Sequence, residues 1–121
     1  MENETIEIVK ELPPAKVMLV ALDLGKWDCE RSLAELSALA EANHMETAAT
    51  LVQKKQAPEA GTVLGEGKLA EGRLVCANLG IDAAIFDGEL TGSQIRNLTD
   101  RLGVEVLDRT MLILEIFQSR A

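Results

Sequence analysis

The sequence predicts an α/β domain in which a four-stranded parallel sheet is sandwiched between helices. Short continuous apolar runs alternate along the chain with segments whose apolar residues recur at helical spacing. Three of the four predicted strands are followed directly by aspartate, a residue that turns the chain and caps helices. Parallel strands need right-handed crossovers, and the strand order we expect is 2-1-3-4. With 121 residues, the chain is long enough for one core and too short for two.

The first two strands are predicted at Val17–Leu22 and Glu46–Gln53. Between them, Asp28 is placed to cap a helix, whose apolar residues fall at helical spacing: Cys29, Leu33, Leu36 and Ala40. Residues 1–14 contain four glutamates and end in Pro13-Pro14, so we expect a flexible N-terminal arm before a domain spanning 15–121.

Glycines delimit the next two helices. Gly65 and Gly67 open a helix that runs to about Asn78, and Gly80 is placed to end it in a left-handed conformation. After a third strand at Ala83–Phe86, the segment Thr91-Gly92-Ser93-Gln94 has the form of a capping box for a helix that Gly103 stops.

A fourth strand is predicted at Val104–Leu107, and Asp108 caps a last helix, Arg109–Ser119. Met111–Phe117 is apolar all round except at Glu115. Since exposed apolar surface seeks cover, this segment predicts self-association of the chain.

The composition of the chain limits the kinds of molecule that it can bind and its location in the cell. The net charge of −8 argues against sequence-independent nucleic-acid binding over the whole surface, but it allows a local basic patch. No apolar run approaches the roughly 20 residues of a membrane span, and the start of the chain lacks a signal pattern, so we expect a cytoplasmic protein. Cys29 and Cys76 match no metal spacing and are expected to be reduced thiols.

The segment Gly65-Glu66-Gly67-Lys68 resembles a phosphate-binding loop but does not fulfil the pattern. Five residues rather than four separate Gly61 from Gly67, and Leu69 stands where a magnesium-binding hydroxyl is needed. What remains is a helix start with a lysine in its first turn. Such a start suits a phosphate of RNA or of a nucleotide, and equally a tight connection that needs small residues.

Asp23, Asp87 and Asp108 each follow a strand and are expected at the carboxyl edge of the sheet. They could form a magnesium-binding or receiver-like acidic pocket, or they could cap helices and brace loops. Cys29, near a helix start, could have a lowered pKa. The sequence names no catalytic residue and no metal ligand, and it indicates that His44 is a loop residue.

Basic and amide side chains that close strand two, lie on the third helix and flank the last helix form the only plausible cationic surface. An arginine can grip phosphate with a planar fork, so these residues are candidates for contact with the RNA backbone. The alternative is a solvated face, or a brace between Arg109 and Asp87 or Asp108. With the two glycines, the RNA-binding candidates are Lys54, Lys55, Gly65, Gly67, Lys68, Arg96, Asn97, Arg101, Arg109 and Arg120.

Three motifs in order carry a resemblance to a known family. LGEGKLAE stands at Leu64–Glu71, FDGELTGSQIRNL at Phe86–Leu98 and DRTMLILEIFQSRA at Asp108–Ala121. Together they resemble the N-terminal domain of the HflX family of translational GTPases, over roughly residues 17–121. Two departures, Thr91-Gly92-Ser93 in a turn that often holds Ser-Pro and Glu115 where Asp is common, keep the local chemistry.

The resemblance implies a protein that associates with the large ribosomal subunit and splits or rescues ribosomes, with this domain engaging ribosomal RNA. It also implies a GTPase domain following Ala121, where GTP and Mg²⁺ would bind. This chain itself would be non-catalytic and would carry no cofactor. Two alternatives remain: a small nucleotide- or ligand-binding enzyme domain using the carboxyl edge around Asp23, Gly65–Lys68 and Asp87, and a phospho-receiver-like module.

Overall fold

The computed structural model describes residues 13–120, with side chains as far as Leu114. Its single four-stranded sheet is parallel throughout and has the order β2-β1-β3-β4. The strands are β1 (Ala15–Asp23), β2 (Met45–Lys54), β3 (Ala83–Phe86) and β4 (Glu105–Asp108). The helices are α1 (Cys29–Ala42), α2 (Glu66–Leu79), α3 (Gly92–Leu102) and α4 (Arg109–Arg120).

The predicted fold class, strand order and four helices are confirmed. β1 and β2 are longer than the predicted strands, and β4 lies one residue later, with Asp108 as its last residue. The predicted arm at residues 1–14 lies outside the described residues except for Pro13 and Pro14, which are exposed. Among the described residues, no helix is long and apolar enough to cross a membrane.

Two apolar layers cover the two faces of the sheet. Met18 and Val20 of β1 pack with α2 and α3, whereas Val17 and Leu19 pack with α1 and α4. Because both faces are covered, β1 is buried on both sides, which is why its sequence is a continuous apolar run. α2 and α3 therefore lie together on one face, and α1 and α4 on the other.

The predicted helix caps are present. Asp28 Oδ1 accepts from the backbone N–H of Arg31 at 3.1 Å, and Thr91 and Gln94 form the reciprocal capping box. Gly80 and Gly103 end α2 and α3 with φ of +64° and +75°, in the left-handed region that glycine adopts without a steric cost. The two N-caps fix where α1 and α3 begin at the carboxyl edge of the sheet, and the two glycines fix where the chain returns to the amino edge.

Candidate functional site

The start of α2 is an uncapped helix terminus held by β2. Gly65 is the N-cap residue, and its N–H donates to Gln53 Oε1 at 2.8 Å. A Cβ at Gly65 would lie 3.2 Å from Gln53 Nε2, so the small residue allows this close approach. Because glycine has no side chain to satisfy the N–H groups of the first turn, the terminus keeps its partial positive charge and free donors.

The loop before this helix is braced from α3. Glu59 and Val63 exchange two backbone hydrogen bonds, of 2.9 and 3.1 Å, and Val63 has a φ of +70°. A β-branched residue rarely adopts this conformation, so tertiary contacts must hold the loop. One such contact comes from Asn97, whose Nδ2 donates to the carbonyl of Gly61 at 3.1 Å.

The lysines of this region differ in their partners. Lys55 Nζ lies 2.6 Å from Glu59 Oε1, and Lys68 Nζ lies 2.8 Å from Glu71 Oε2. Lys54 is exposed at the end of β2, and in the described part of the chain no carboxylate forms an ion pair with it. Among the described residues, Lys54 is therefore the lysine of this region without an ion-pair partner, although Asp23 is its neighbour across the two strands.

Arg101 lies beside the first turn of α2, where its guanidinium donates to both carboxylate oxygens of Glu66, with Nη1–Oε1 at 2.9 Å. The hydrogen bond from Arg101 holds the pKa of Glu66 below its usual range, and the same pair raises the pKa of Arg101. This candidate RNA-binding arginine is thus engaged within the chain.

Seven of the ten candidates lie on the three segments that meet in this region, and contacts connect four of them to it: Lys55, Gly65, Asn97 and Arg101. A Cβ at Gly65 would lie 3.8 Å from Lys55 Nζ, while Asn97 and Arg101 reach the loop and the helix start from α3. We call this region the α2-start surface. Its residues are Lys54, Lys55, Gly65, Gly67, Lys68, Asn97 and Arg101.

The other three candidates stand apart. Arg96 is exposed on α3, where its Nη2 donates to Ser93 Oγ at 3.3 Å. Arg109 lies on the opposite side of the sheet, with its Nη2 3.2 Å from the carbonyl of Ser32 in α1 and its Nε 3.4 Å from Asp87 Oδ1. The proposed brace between Arg109 and Asp87 is therefore present. The side chain of Arg120 lies outside the described residues.

The three strand-end aspartates do lie at the carboxyl edge, and each braces backbone or a cation. Asp23 Oδ1 accepts from Gly25 N–H at 2.9 Å. Asp108 accepts from Leu90 and Met111 N–H at 3.0 and 2.9 Å. In the described part of the chain, no group of three or more His, Cys, Asp or Glu residues could hold a metal ion. These contacts favour capping and bracing roles.

The prediction of a lowered pKa for Cys29 is wrong. Burial raises the pKa of its thiol, and nearby carboxylates raise it further: Asp23, Asp87, Asp28 and Glu30. Cys76 is buried, which raises its pKa as well. His44 lies in the turn between α1 and β2, as expected, with a φ of +56°.

Two features of the carboxyl edge were not recognised from the sequence as parts of a site. Trp27 lines a cavity of about 370 Å³ and remains 45% exposed. Gln53 anchors Gly65. A polar residue at the end of an apolar strand was the available signal for Gln53, but its partner lies in another segment.

The chain resembles known proteins in sequence and in fold. The family model described as GTP-binding GTPase N-terminal matches residues 30–118. The chain is 38% identical over 115 residues to the GTPase HflX of Alkalihalophilus pseudofirmus, covering 93% of this chain and 27% of that protein. It is 42% identical over 106 residues to the GTPase HflX of Caldanaerobacter subterraneus, covering 88% and 24%. The chain therefore spans about a quarter of the length of these relatives.

A solved structure has the same fold. It is a GTP-binding protein from the hyperthermophilic archaeon Sulfolobus solfataricus in complex with GDP, with a TM-score of 0.63 and 23% identity. The similarity covers 84% of this chain and 30% of that one. At this level of identity, the similarity concerns the fold alone.

Proposed function

The chain belongs to the family of GTP-binding GTPase N-terminal domains and is an HflX N-terminal domain, and we propose that it is the RNA-docking domain of a cytoplasmic GTPase. In this proposal the whole protein associates with the large ribosomal subunit and splits or rescues ribosomes. The domain described above supplies recognition and positioning and is itself non-catalytic.

The observation that carries this proposal is the convergence of residues on the α2-start surface. Lys55, Asn97 and Arg101 reach an uncapped helix start from the segment after β2 and from α3. Lys68 lies in the first turn of the same helix, and Lys54 directly precedes Lys55. RNA backbone presents phosphates to such a surface, where lysine, arginine and free backbone N–H groups are the usual partners.

The ion pairs on this surface are compatible with RNA binding. Glu59, Glu71 and Glu66, the partners of Lys55, Lys68 and Arg101, have side chains that are 51%, 53% and 78% exposed. Exposed ion pairs contribute on the order of 0–1 kcal/mol, so a phosphate can displace the carboxylate at little cost. Lys54 needs no such exchange, and we assign it the first contact with RNA.

GTP binding and hydrolysis belong, in this proposal, to a domain that follows this one in the full-length protein, with Mg²⁺ at the phosphates. The relatives that match the chain are named as GTPases and are about three and a half times its length. The glycine pattern at Gly61–Lys68 does not fulfil the phosphate-loop requirements, which supports a non-catalytic role for this domain.

Binding to purified large ribosomal subunits tests the proposal. Lys54→Glu and Lys68→Glu should each weaken binding and reduce the salt dependence by about one ionic contact. Lys16→Glu is the matched control, since it makes the same charge change at the exposed start of β1, at the other end of the sheet. Equal losses in all three variants, or no binding by the unaltered chain at low salt, would refute an RNA-docking role for this surface.

A second candidate function, binding of a small nucleotide or other ligand, is favoured by a cavity of about 400 Å³ at the carboxyl edge. Its lining is Asp23, Leu24, Gly25, Lys54, Lys55 and Gln56. Calorimetric titration of the chain with GTP and ATP, without ribosomes, distinguishes the two functions. Saturable heat with one of them would support the ligand-binding alternative.

A receiver-like role receives less support from the geometry. The Asp87 side chain is only 5% exposed and is held by Arg109, which leaves little of its carboxylate open to a phospho-donor. Rapid modification of Asp87 by a small phospho-donor would nevertheless favour that alternative.

A further inference from the structure

Two adjacent cavities at the carboxyl ends of β1 and β2 form one groove. The first, about 400 Å³, includes Lys54 and Lys55, and the second, about 370 Å³, includes Trp27. Both are lined by Asp23 and Lys54, which are paired at the ends of the two strands. We call the combined space the Trp27 groove. It runs from the loop that leads to α2 to the start of α1.

Trp27 is the most distinctive residue lining this groove. It is the only tryptophan of the chain, and it remains 45% exposed although it lines a cavity. A flat aromatic ring that is partly open to solvent offers a stacking surface for any nucleobase, because every base has a π face. Aromatic side chains beside cationic ones are the usual means by which proteins bind single-stranded nucleic acid.

We propose that the Trp27 groove binds one unpaired nucleotide of RNA, with the base stacked on Trp27 and a phosphate at Lys54. The inference rests on the proposed function, and it adds a recognition mode to it. The α2-start surface contacts backbone phosphates in any conformation, whereas the groove accepts only a base that is free of a duplex.

The charges along the groove fix the direction of the nucleotide. Asp23 and Lys54 line both cavities, whereas Lys55, a residue of the α2-start surface, lines only the first, so the backbone can continue from that surface. Asp28 and Glu30 line only the second cavity, beside Trp27, and disfavour a phosphate there. The raised pKa of Cys29 in the same wall reports burial and this negative surrounding. The base, and not the phosphate, therefore occupies the Trp27 end.

The acidic end also selects among bases. Asp23 and Asp28 each use Oδ1 to accept a backbone hydrogen bond, from Gly25 and Arg31, and a carboxylate can accept several more. Carboxylates offer only acceptors, so they favour bases with an exocyclic amino group, which adenine, guanine and cytosine have. Uracil offers only its ring N3–H, and the carbonyl oxygens on both sides of that N–H repel a carboxylate. We therefore expect cytidine to be preferred to uridine, although the two bases are similar in size.

Intrinsic tryptophan fluorescence tests the groove directly, because Trp27 is the only tryptophan. The probes are a cytidine hexamer, a uridine hexamer and a short RNA duplex, each titrated into the chain at low salt. The expected result is saturable quenching that is several-fold tighter with the cytidine hexamer than with the uridine hexamer, and none with the duplex at the same concentrations. Equal affinity for both hexamers, or no response at millimolar concentrations, would overturn the proposal.

Variants separate stacking from general charge effects, with binding measured by anisotropy of a labelled cytidine hexamer. Trp27→Ala should weaken binding about tenfold, and Trp27→Phe should restore most of it. Leu74→Ala, at a 64% exposed position on α2, is the control for loss of an exposed apolar side chain and should change nothing. Equal affinities of the unaltered chain and Trp27→Ala would overturn the stacking role.

Failure of the groove can be distinguished from failure of the proposed function. Binding to large ribosomal subunits without a hexamer response removes the groove and leaves the docking function. A hexamer response without binding to large ribosomal subunits removes the docking function and leaves the groove as a nucleotide site. An arginine-rich peptide that quenches Trp27 while both hexamers fail would overturn the nucleotide proposal and identify the acidic end as a site for basic protein segments.

Discussion

Arg101 on α3 donates to both carboxylate oxygens of Glu66 in the first turn of α2. The two residues are 35 positions apart, so the pair joins two helices on the same face of the sheet. A forked guanidinium matches the planar carboxylate in this arrangement, just as it would match a phosphate. The pair therefore fixes the orientation of Arg101, one of the RNA-binding candidates.

Replacing Arg101 should change the pKa of Glu66. Arg101→Met removes the hydrogen bond that lowers the pKa of Glu66, so that pKa should rise toward its ordinary value of 4.5. Carboxyl-carbon NMR shifts followed against pH measure the change. Arg31→Met, which removes an arginine paired with Asp28 on the other face, is the control and should leave Glu66 unaffected. An unchanged pKa of Glu66 in Arg101→Met would contradict the pair.

The same pair predicts the sign of a pH effect on stability. A carboxyl group whose pKa is lower in the folded state stabilises the fold above its unfolded pKa, and this contribution is lost as the pH falls through the folded value. The stability difference between the unaltered chain and Arg101→Met should therefore shrink as the pH falls below about 4. Urea unfolding at several pH values would measure it.

Gly72 and Gly67 provide a matched comparison within α2. A Cβ at Gly72 would lie 2.8 Å from Leu51 Cδ2 and 3.0 Å from Leu102 Cδ2, whereas nothing lies within 4 Å of a Cβ at Gly67. Gly67→Ala should be neutral or stabilise the fold by up to about 1 kcal/mol, because alanine has the higher helix propensity. Gly72→Ala should be about 2 kcal/mol less stable than Gly67→Ala because of overpacking. Chemical denaturation measures both, and equal stabilities would show that the core accommodates the methyl group.

Asp108 joins the end of β4 to two other segments. Its side chain is buried and accepts from the backbone N–H groups of Leu90 and Met111. Asp108→Ala leaves both donors without this partner and should cost about 2–3 kcal/mol in the free energy of unfolding. Asp82→Ala is the control, since Asp82 also accepts one backbone hydrogen bond but is exposed, and its loss should cost no more than about 1 kcal/mol. Similar losses of unfolding free energy in the two variants would contradict the expectation that the buried aspartate contributes more than the exposed one.

The sequence predicted the fold well because its signals are local. Asp28 caps α1 by accepting from the N–H of Arg31, three residues further along the chain. The capping box closes within Thr91–Gln94, and the continuous apolar run of β1 indicates burial on both faces. Each of these features depends on neighbours in the chain, so spacing alone reveals it.

The site was less predictable because its contacts link distant segments. Asn97 meets Gly61 across 36 residues, and no spacing rule indicates that pairing. Arg109 was grouped with the other cations, but the crossover to α4 places it on the opposite side of the sheet, near Ser32. The pKa of Cys29 depends on burial and on carboxylates from several loops, which the position near a helix start did not reveal.

The last helix carries the remaining prediction, self-association through Met111–Phe117. Leu112 is fully buried and Met111 is half-buried, whereas Ile113 and Leu114 are 36% and 54% exposed. The side chains of the segment from Glu115 onward lie outside the described residues. Two adjacent exposed aliphatic side chains on a helix that ends the described domain gain stability when a second copy covers them.

Leu114→Glu should therefore weaken self-association, because it places a charge in the contact. Leu74→Glu is the matched control, with the same substitution at an exposed leucine on the other face of the sheet. Sedimentation velocity at several concentrations measures the association. We expect concentration-dependent dimers for the unaltered chain and for Leu74→Glu, and mainly monomers for Leu114→Glu. If the unaltered chain is monomeric at every concentration, the prediction of self-association through this helix is wrong.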